Sequence, residues 1–266
     1  MWETRQTERL PGKGIYPMEG EMIAETLKLS ATNGFLLKAE QGYVLVDTAY
    51  DWEWDAFRAE LEQAGVGIGD LAYLILTHHH DDHAGLVSSL VLRNPGLKVV
   101  MSARARELVA QGKNVWAKGA ACINRRVKVL MMLKARIDKK WTQTYPPYVA
   151  RPEDILVSHD TSLRDLGIGL EGMIVETPGH STDSISIQLP EGVWIVGDAA
   201  FNMLQAAGTR YCVPIVENLG QYYGNWTRML EAGARRIYPA HGKSFAADAL
   251  RRHINRHTQR GLVPLI

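Results

Sequence analysis

In residues 71–83, Leu71-Ala72-Tyr73-Leu74-Ile75-Leu76-Thr77-His78-His79-His80-Asp81-Asp82-His83, an apolar run leads straight into a cluster of histidine and aspartate. The length of the apolar run and its β-favouring residues predict a buried strand. His78, His80, Asp82 and His83 follow it in the pattern His-x-His-x-Asp-His. Imidazole and carboxylate are ligands that borderline cations such as Zn²⁺ take. Because four such groups exceed what one tetrahedral site needs from one segment, the spacing favours two adjacent metal ions.

The same arrangement of an apolar run, a turn and a side chain able to bind metal recurs three times further along the chain. The three segments are 173–177 before Pro178-Gly179-His180, 193–196 before Gly197-Asp198, and 236–238 before Pro239-Ala240-His241. Taken singly, His180 or Asp198 would be an ordinary turn residue or helix cap. The histidines of residues 78–83 would likewise be a surface cluster. Four strand ends in order instead indicate one pocket with seven ligands.

These residues resemble the motifs of the metallo-β-lactamase superfamily of metal-dependent hydrolases, over about residues 30–245. The resemblance implies an α/β (α+β) fold, a four-layer αββα sandwich forming one domain over residues 1–266. It also implies the ligand sets: His78, His80 and His180 for one ion, Asp82, His83 and His241 for the other, and Asp198 bridging both. Asp47, which ends the apolar run 44–46, is similar to an early aspartate of the family and is expected to orient a ligand or loop by hydrogen bonding.

A centre of two metal ions held by these ligands favours hydrolysis as the reaction. Two cations roughly 3.5–4 Å apart share a water and lower its pKa towards neutrality, so that a metal-bridging hydroxide can attack a carbonyl or phosphoryl group. Asp82 and Asp198 are the candidate catalytic carboxylates, and Asp82 could also transfer a proton. Zinc fits the ligands best, while iron and manganese also fit them.

The expected substrate is a carboxylic ester, a lactone or a thioester. Two alternatives stay open: a phosphodiesterase or nuclease that acts on an anionic phosphate ester, and a metal-bound regulatory or binding protein with vestigial activity. Asp198 argues against a true β-lactamase, because enzymes with that activity usually lack this aspartate in the family that the chain resembles. Tyr211, Tyr222 and Tyr223 are candidates for a phenol near the metals.

Composition favours a cytoplasmic enzyme that acts on a small molecule. A chain of 266 residues that is 46% hydrophobic can bury a large core. Its two cysteines, Cys122 and Cys212, give no disulfide framework, and residues 1–6 lack the apolar core of a secretory signal. No apolar run approaches the roughly 20 residues that span a bilayer.

The segment from about 102 to 151 is predicted to be a basic helical insert. Residues 101–151 hold twelve Lys or Arg against two acidic residues, a net charge of +10, which leaves −9 on the rest of the chain. Three readings compete: a flap or homodimer interface, a lid that attracts an anionic substrate, and a surface for acidic lipid or nucleic acid, although nucleic acid is not favoured. The candidate substrate contacts are Arg125, Arg126, Lys128 and Trp141, and reversing the three charges is expected to raise KM for an anionic substrate.

The remaining patterns predict further strands and helices. Strands are expected near 21–29, 34–39, 43–47, 97–101, 171–177, 184–188 and 193–196. Helices are expected over 51–64, from 84 to about 91, and near 225–232 and 244–258.

Overall fold

The computed structural model describes residues 23–265. Residues 1–22 and Ile266 lie outside the described residues, and with them residues 1–6 and the start of the first predicted strand. The extent of the single domain over 1–266 therefore stays a prediction. Within residues 23–265, no helix is both long enough and apolar enough to span a membrane.

The described chain contains both strands and helices. The strands are β1 (Ile23–Lys28), β2 (Asn33–Ala39), β3 (Gly42–Val46), β4 (Leu71–Leu76), β5 (Lys98–Ser102), β6 (Ala121–Cys122), β7 (Ile155–Val157), β8 (Thr161–Ser162), β9 (Met173–Glu176), β10 (Ile185–Leu189), β11 (Val193–Ile195), β12 (Ile215–Val216), β13 (Arg236–Tyr238), β14 (Phe245–Ala246) and β15 (Val263–Pro264). The α-helices are α1 (Trp54–Gln63), α2 (Asp81–Ala84), α3 (Val87–Arg93), α4 (Ala105–Val109), α5 (Arg125–Ile137), α6 (Leu219–Glu231) and α7 (Asp248–His253).

Two six-stranded sheets form the centre of the molecule. The first has the strand order β1-β2-β3-β4-β5-β7 and is parallel from β3 to β7. The second has the order β14-β13-β11-β10-β9-β8, and within it β11 and β13 run parallel. Because parallel neighbours end at the same edge of a sheet, the loops after β3, β4 and β5 lie side by side, as do those after β11 and β13.

The sheets are buried on both faces because successive residues of their strands are apolar. In β2, Phe35 and Leu37 pack into the core between the two sheets, and Leu36 packs on the opposite face beneath the helices. Alternate residues of a strand point to opposite faces, so such a strand needs a covering layer on each side. Phe57 of α1 covers the first sheet and Trp226 of α6 covers the second. The four-layer αββα sandwich is therefore confirmed.

The segment 102–151 lies between β5 and β7 and is helical only in part. Of its described residues, α4 and α5 are helical, and β6 belongs to a small third sheet of order β12-β6-β15. In that sheet Cys122 pairs with Ile215 on one side and with Val263 on the other. Since β15 lies at the end of the described chain, the pairing fixes the start of α5 against a segment remote in sequence.

Candidate functional site

Loops from both sheets meet at one edge and carry the predicted ligands. His78 and His80 follow β4, while Asp82 and His83 lie on the short helix α2. His180 follows β9, Asp198 lies in a turn after β11, and His241 follows β13. Direct backbone contacts join the two sheets here, with the Ile185 N–H donating to the Thr77 carbonyl at 2.9 Å and the Asn33 N–H to the Ala240 carbonyl at 2.7 Å.

Three imidazole nitrogens form a compact triangle on one side of the site. His78 Nε2 lies 3.0 Å from His80 Nδ1 and 3.1 Å from His180 Nε2, and the third side measures 2.9 Å. Burial first, and then the neighbouring imidazoles, lower the pKa of His78 and of His80 well below the usual value. The rings are therefore neutral, and neutral imidazole is the form that binds a metal ion.

A second group, of Asp82, His83 and His241, lies beside the triangle. His241 Nε2 is 3.3 Å from an oxygen of Asp82, and His83 Nε2 is 3.7 Å from the other. Burial alone would lower the pKa of His83, but the carboxylates of Asp47 and Asp82 outweigh it and raise the pKa to about 9. In the absence of metal, a proton on the His83 ring therefore offsets the negative charge of the neighbouring carboxylates. A metal ion can take the place of that proton.

Asp198 lies between the two groups. Its Oδ1 is 3.2 Å from His241 Nε2 and 3.7 Å from His83 Nε2, and its Oδ2 is 3.3 Å from His180 Nε2. Burial would raise the pKa of Asp198, but His241 and His180 outweigh it and hold the pKa well below the usual range. One carboxylate thus presents an oxygen to each group, as a bridge between two ions requires.

Hydrogen bonds fix the orientation of three rings so that one nitrogen of each faces the site. The Nδ1–H of His180 donates to the Ile215 carbonyl at 2.9 Å, and that of His241 to the Ala31 carbonyl at 2.7 Å. His83 donates from Nδ1 to Asp47 at 2.8 Å, and its buried Nε2 has no hydrogen-bond partner among the described residues. Because Nδ1 is engaged in these hydrogen bonds, Nε2 is the nitrogen that can bind a metal ion once any proton on it has left, so the donor set fits metal ions.

Asp47, which follows β3, accepts hydrogen bonds from His83 and from Thr77. Its Oδ2 accepts from His83 Nδ1 at 2.8 Å and from the Thr77 hydroxyl at 2.7 Å, and its Oδ1 accepts from the Thr77 N–H at 2.7 Å. We expect Asp47→Asn to weaken metal binding roughly 10- to 100-fold, because the amide no longer orients and polarises the ring as a carboxylate does. Titration against a competing chelator measures this affinity.

Asp183→Asn is the matched control. Asp183 makes an equivalent contact, 2.9 Å from Nδ1 of His79, whose ring belongs to neither group of ligands and whose Nε2 contacts Val115. The control should leave metal affinity within about threefold of the native value. Equal losses in both variants would mean that the Asp47 contact only supports folding.

Gly179 shapes the turn that carries His180. Its φ is +141°, and a Cβ added there would lie 2.6 Å from the backbone nitrogen of Tyr222 in α6. We expect Gly179→Ala to destabilise the fold by about 3 kcal/mol, because either the turn or the helix must shift. Thermal unfolding measures the loss. Gly224→Ala is the control, since a Cβ at Gly224 in α6 meets nothing within 4 Å and should be neutral or stabilising.

A cavity of about 370 Å³ opens above the ligand groups. His80, Asp82, Asp198 and His241 line its floor. The apolar walls come from separate segments and include Trp116, Leu130, Met131, Phe201, Leu204 and Ile215. Its volume falls at the lower end of the range for small-molecule sites, roughly 300–1,000 Å³.

The cations that line the cavity differ from those expected from the sequence. Arg125 and Arg126 are exposed outside it, and Lys128 donates to the Pro264 carbonyl at 2.6 Å. Helical periodicity explains this, because Leu130, Met131 and Lys134 share the face of α5 that meets the cavity while the three predicted residues point elsewhere. Trp141 does line the cavity, and Lys134 lies beside it.

The phenol in the cavity is Tyr50, which the sequence patterns did not indicate. Among the three tyrosines named from the sequence, Tyr222 is fully buried and donates to the Asp198 carbonyl at 3.0 Å. Tyr223 accepts from the His257 N–H, and the ring of Tyr211 packs on Phe245. None of these three lines the cavity.

Comparisons with known proteins agree with this geometry. The model of the metallo-beta-lactamase superfamily matches residues 27–241. Lactamase-like protein aptB of Emericella nidulans is 27% identical over 222 residues, covering 82% of this chain and 53% of that protein. The beta-lactamase-like protein 2 homolog of Drosophila melanogaster is 25% identical over 227 residues, with coverages of 81% and 60%. This chain thus spans little more than half the length of these relatives.

A solved structure shares the fold. The subclass B3 metallo-beta-lactamase of Bradyrhizobium japonicum superposes with a TM-score of 0.57 at 17% identity, covering 81% of this chain and 74% of that chain. The fold and the histidine and aspartate clusters are consistent with a dinuclear site for divalent metal ions. With the family model matched over most of its length, the chain belongs to the metallo-beta-lactamase superfamily.

Proposed function

We propose that this protein is a dinuclear metal-dependent hydrolase that cleaves a carboxylic ester, a lactone or a thioester, and not a β-lactam. The observation that carries the proposal is the position of Asp198, which offers one oxygen to the three-histidine triangle and the other to His83 and His241. Two divalent ions bound there would supply Lewis acidity and a water acidic enough to be deprotonated near neutral pH.

The protein's own groups have distinct roles in this proposal. His78, His80 and His180 would hold one ion, Asp82, His83 and His241 would hold the other, and Asp198 would be shared between them. Asp47 accepts from Nδ1 of His83 and so leaves Nε2 as the nitrogen that would bind the ion. Zinc suits this mixture of nitrogen and oxygen ligands best, and iron or manganese suits it as well.

Asp82 is the proposed proton carrier. Its side chain lines the cavity, 14% exposed, whereas Asp198 is 7% exposed. A carboxylate at the edge of the cavity can pass a proton to a departing alcohol or thiol, and the apolar walls exclude bulk water from the reacting bond.

The proposal favours acyl over phosphoryl substrates because the walls of the cavity are largely apolar. A nuclease also binds the phosphates that flank the bond it cleaves, and for these it needs cationic side chains in addition to the metal ions. Among the described residues that line the cavity, Lys134 is the one cationic side chain besides histidine. An apolar acyl or aryl group matches Trp116, Leu130 and Phe201 better.

A substrate panel tests the proposal. The native protein, loaded in turn with Zn²⁺, Mn²⁺ and Fe²⁺, is assayed on aryl esters, aliphatic lactones, acyl thioesters, bis-aryl phosphates and a β-lactam. We expect turnover of one of the three acyl classes to exceed that of the phosphate and the β-lactam. Turnover confined to the phosphate would assign a phosphodiesterase, and a fully metallated protein inert on the whole panel would assign a binding role.

A further inference from the structure

Lys134 is the basic residue that α5 directs at the cavity. Its Nζ lies 3.5 Å from the Tyr50 hydroxyl, and 4.9 Å and 5.8 Å from the ring centroids of Trp141 and Tyr50. The side chain is half-buried, and no carboxylate between residues 23 and 265 lies within ion-pair distance of it. Two aromatic rings therefore hold a cation whose charge has no acidic partner in the described chain.

The remaining cations of α5 do not share this position. Arg125, Arg126 and Arg136 are exposed, and Lys128 reaches the Pro264 carbonyl. None of the four lines the cavity. The positive charge that meets a bound molecule is thus concentrated at one side chain, in contrast to the broad basic surface that the sequence alone suggests.

Charge in the cavity favours an anion when metal ions are bound. Three carboxylates line it, those of Asp81, Asp82 and Asp198. Two divalent ions and Lys134 exceed these three negative charges, so the net charge is positive. Because the walls of the cavity are largely apolar, the field of these charges is only weakly screened.

The ligand groups and Lys134 lie on different elements that line the same cavity. The ligand groups follow β4, β9, β11 and β13, whereas Lys134 lies on α5, together with Leu130 and Met131. A molecule that spans the space must offer a carbonyl at the floor, an apolar body along the walls, and an anionic group at Lys134.

We propose that Lys134 recognises an anionic group of the substrate that is distinct from the group that is cleaved. The substrate class is an amphiphilic ester, lactone or thioester whose apolar acyl part ends in a carboxylate. This inference rests on the proposed function and deepens it. Tyr50 and Trp141 act as positioning residues, because they hold the ammonium group towards the cavity.

A pair of esters that differ by one charge tests the inference. Mono-4-nitrophenyl adipate carries a terminal carboxylate, and 4-nitrophenyl hexanoate has the same acyl length without it. In Lys134→Met, which keeps the apolar stem, KM for the adipate ester should rise about tenfold or more, while KM for the hexanoate ester stays within about threefold. Lys134→Arg should restore part of the difference.

Arg126→Met is the matched control, because it removes one exposed cation from the same helix outside the cavity. We expect both esters to keep their native KM in this variant. Equal effects on the two esters in Lys134→Met, or a selective rise of KM in Arg126→Met alone, would overturn the inference.

Binding of uncleaved amides separates this inference from the proposed function. Adipic acid monoanilide and hexananilide mimic the two esters, and tryptophan fluorescence or calorimetry measures their binding to the metal-loaded protein. The anionic anilide should bind more tightly than the neutral one, and Lys134→Met should remove that preference. Failure of all esters, lactones and thioesters to turn over contradicts the proposed hydrolase alone, whereas anilides that bind equally, or not at all, contradict the role of Lys134.

Discussion

Removal of metal with a strong chelator is expected to abolish hydrolysis and to lower the Tm of this protein by about 10 °C. The seven proposed ligands come from separate loops, so bound ions cross-link β4, β9, β11 and β13 at one edge. An ion present at a thousandfold excess over its Kd stabilises the folded state by about 4 kcal/mol. For a chain of this size, each kcal/mol corresponds to roughly 2–4 °C.

The measurement compares three samples: native, chelated, and chelated with Zn²⁺, Mn²⁺ or Fe²⁺ restored. Rate, Tm and metal content by elemental analysis are recorded for each. Activity and Tm should return together with the metal. Unchanged activity in protein free of detectable metal would exclude the proposed mechanism, and a recovered Tm without recovered activity would limit the ions to a structural role.

Metal binding is also expected to strengthen as pH rises towards about 9. The pKa of His83 is raised to about 9 in the metal-free chain, chiefly by Asp47 and Asp82 against the opposing effect of burial. The ring is therefore protonated at neutral pH and must release a proton when an ion binds at Nε2. Affinity falls as pH drops below that pKa, because more of the chain holds the competing proton. Calorimetric titration in two buffers of different ionisation enthalpy counts the protons released, and a count of zero at pH 7 would contradict this expectation.

Local sequence pattern predicted the parts of the fold that depend on neighbours in the chain. The strand expected at 71–76 is β4, with the same bounds. The ligands could be placed because each follows an apolar run, and a strand end fixes where the next residues lie. Within the second sheet, β9, β11 and β13 run in the same direction and so end at the same edge. That this edge meets the end of β4 depends on the packing of the two sheets.

Contacts remote in sequence explain what the patterns missed. The helix expected over 244–258 is observed only as α7, because Phe245 and Ala246 pair with β13 and the backbone leaves helical geometry at Ile254. The helix expected near 225–232 begins earlier, at Leu219, because the Asn218 side chain accepts from the Gln221 N–H. Neither the strand pairing nor the cap changes the apolar periodicity on which the predictions relied.

The wall of the cavity could not be predicted in the same way. Tyr50, Trp116, Lys134 and Phe201 come from four separate segments, and no spacing in the sequence relates them. The excess of basic residues over 101–151 left three readings of this segment open, and it did not show which cation faces the cavity. That depends on the direction in which α5 starts, and pairing of β6 with β12 and β15 fixes this direction.

The largest effect of a single substitution is expected at Asp198. In Asp198→Asn the shape of the side chain is kept, but one oxygen becomes an NH₂ group, which cannot bind a cation. The variant should bind about one ion per chain, and kcat/KM should fall by about 10³, equivalent to about 4 kcal/mol of transition-state stabilisation. Metal content and the rate on the best acyl substrate of the panel measure the two effects.

Asp81→Asn is the matched control for this substitution. Asp81 lines the same cavity and is buried, but its carboxylate accepts a hydrogen bond from Asn114 at 2.8 Å and belongs to neither ligand group. We expect two ions per chain and a loss of less than about tenfold in kcat/KM. If Asp198→Asn also retained both ions and a native rate, the carboxylate would not bridge them. Each group of histidines would then have to hold its ion without a shared carboxylate, and the case for a coupled dinuclear site would be lost, because Asp198 is the carboxylate that has one oxygen near His180 and the other near His241.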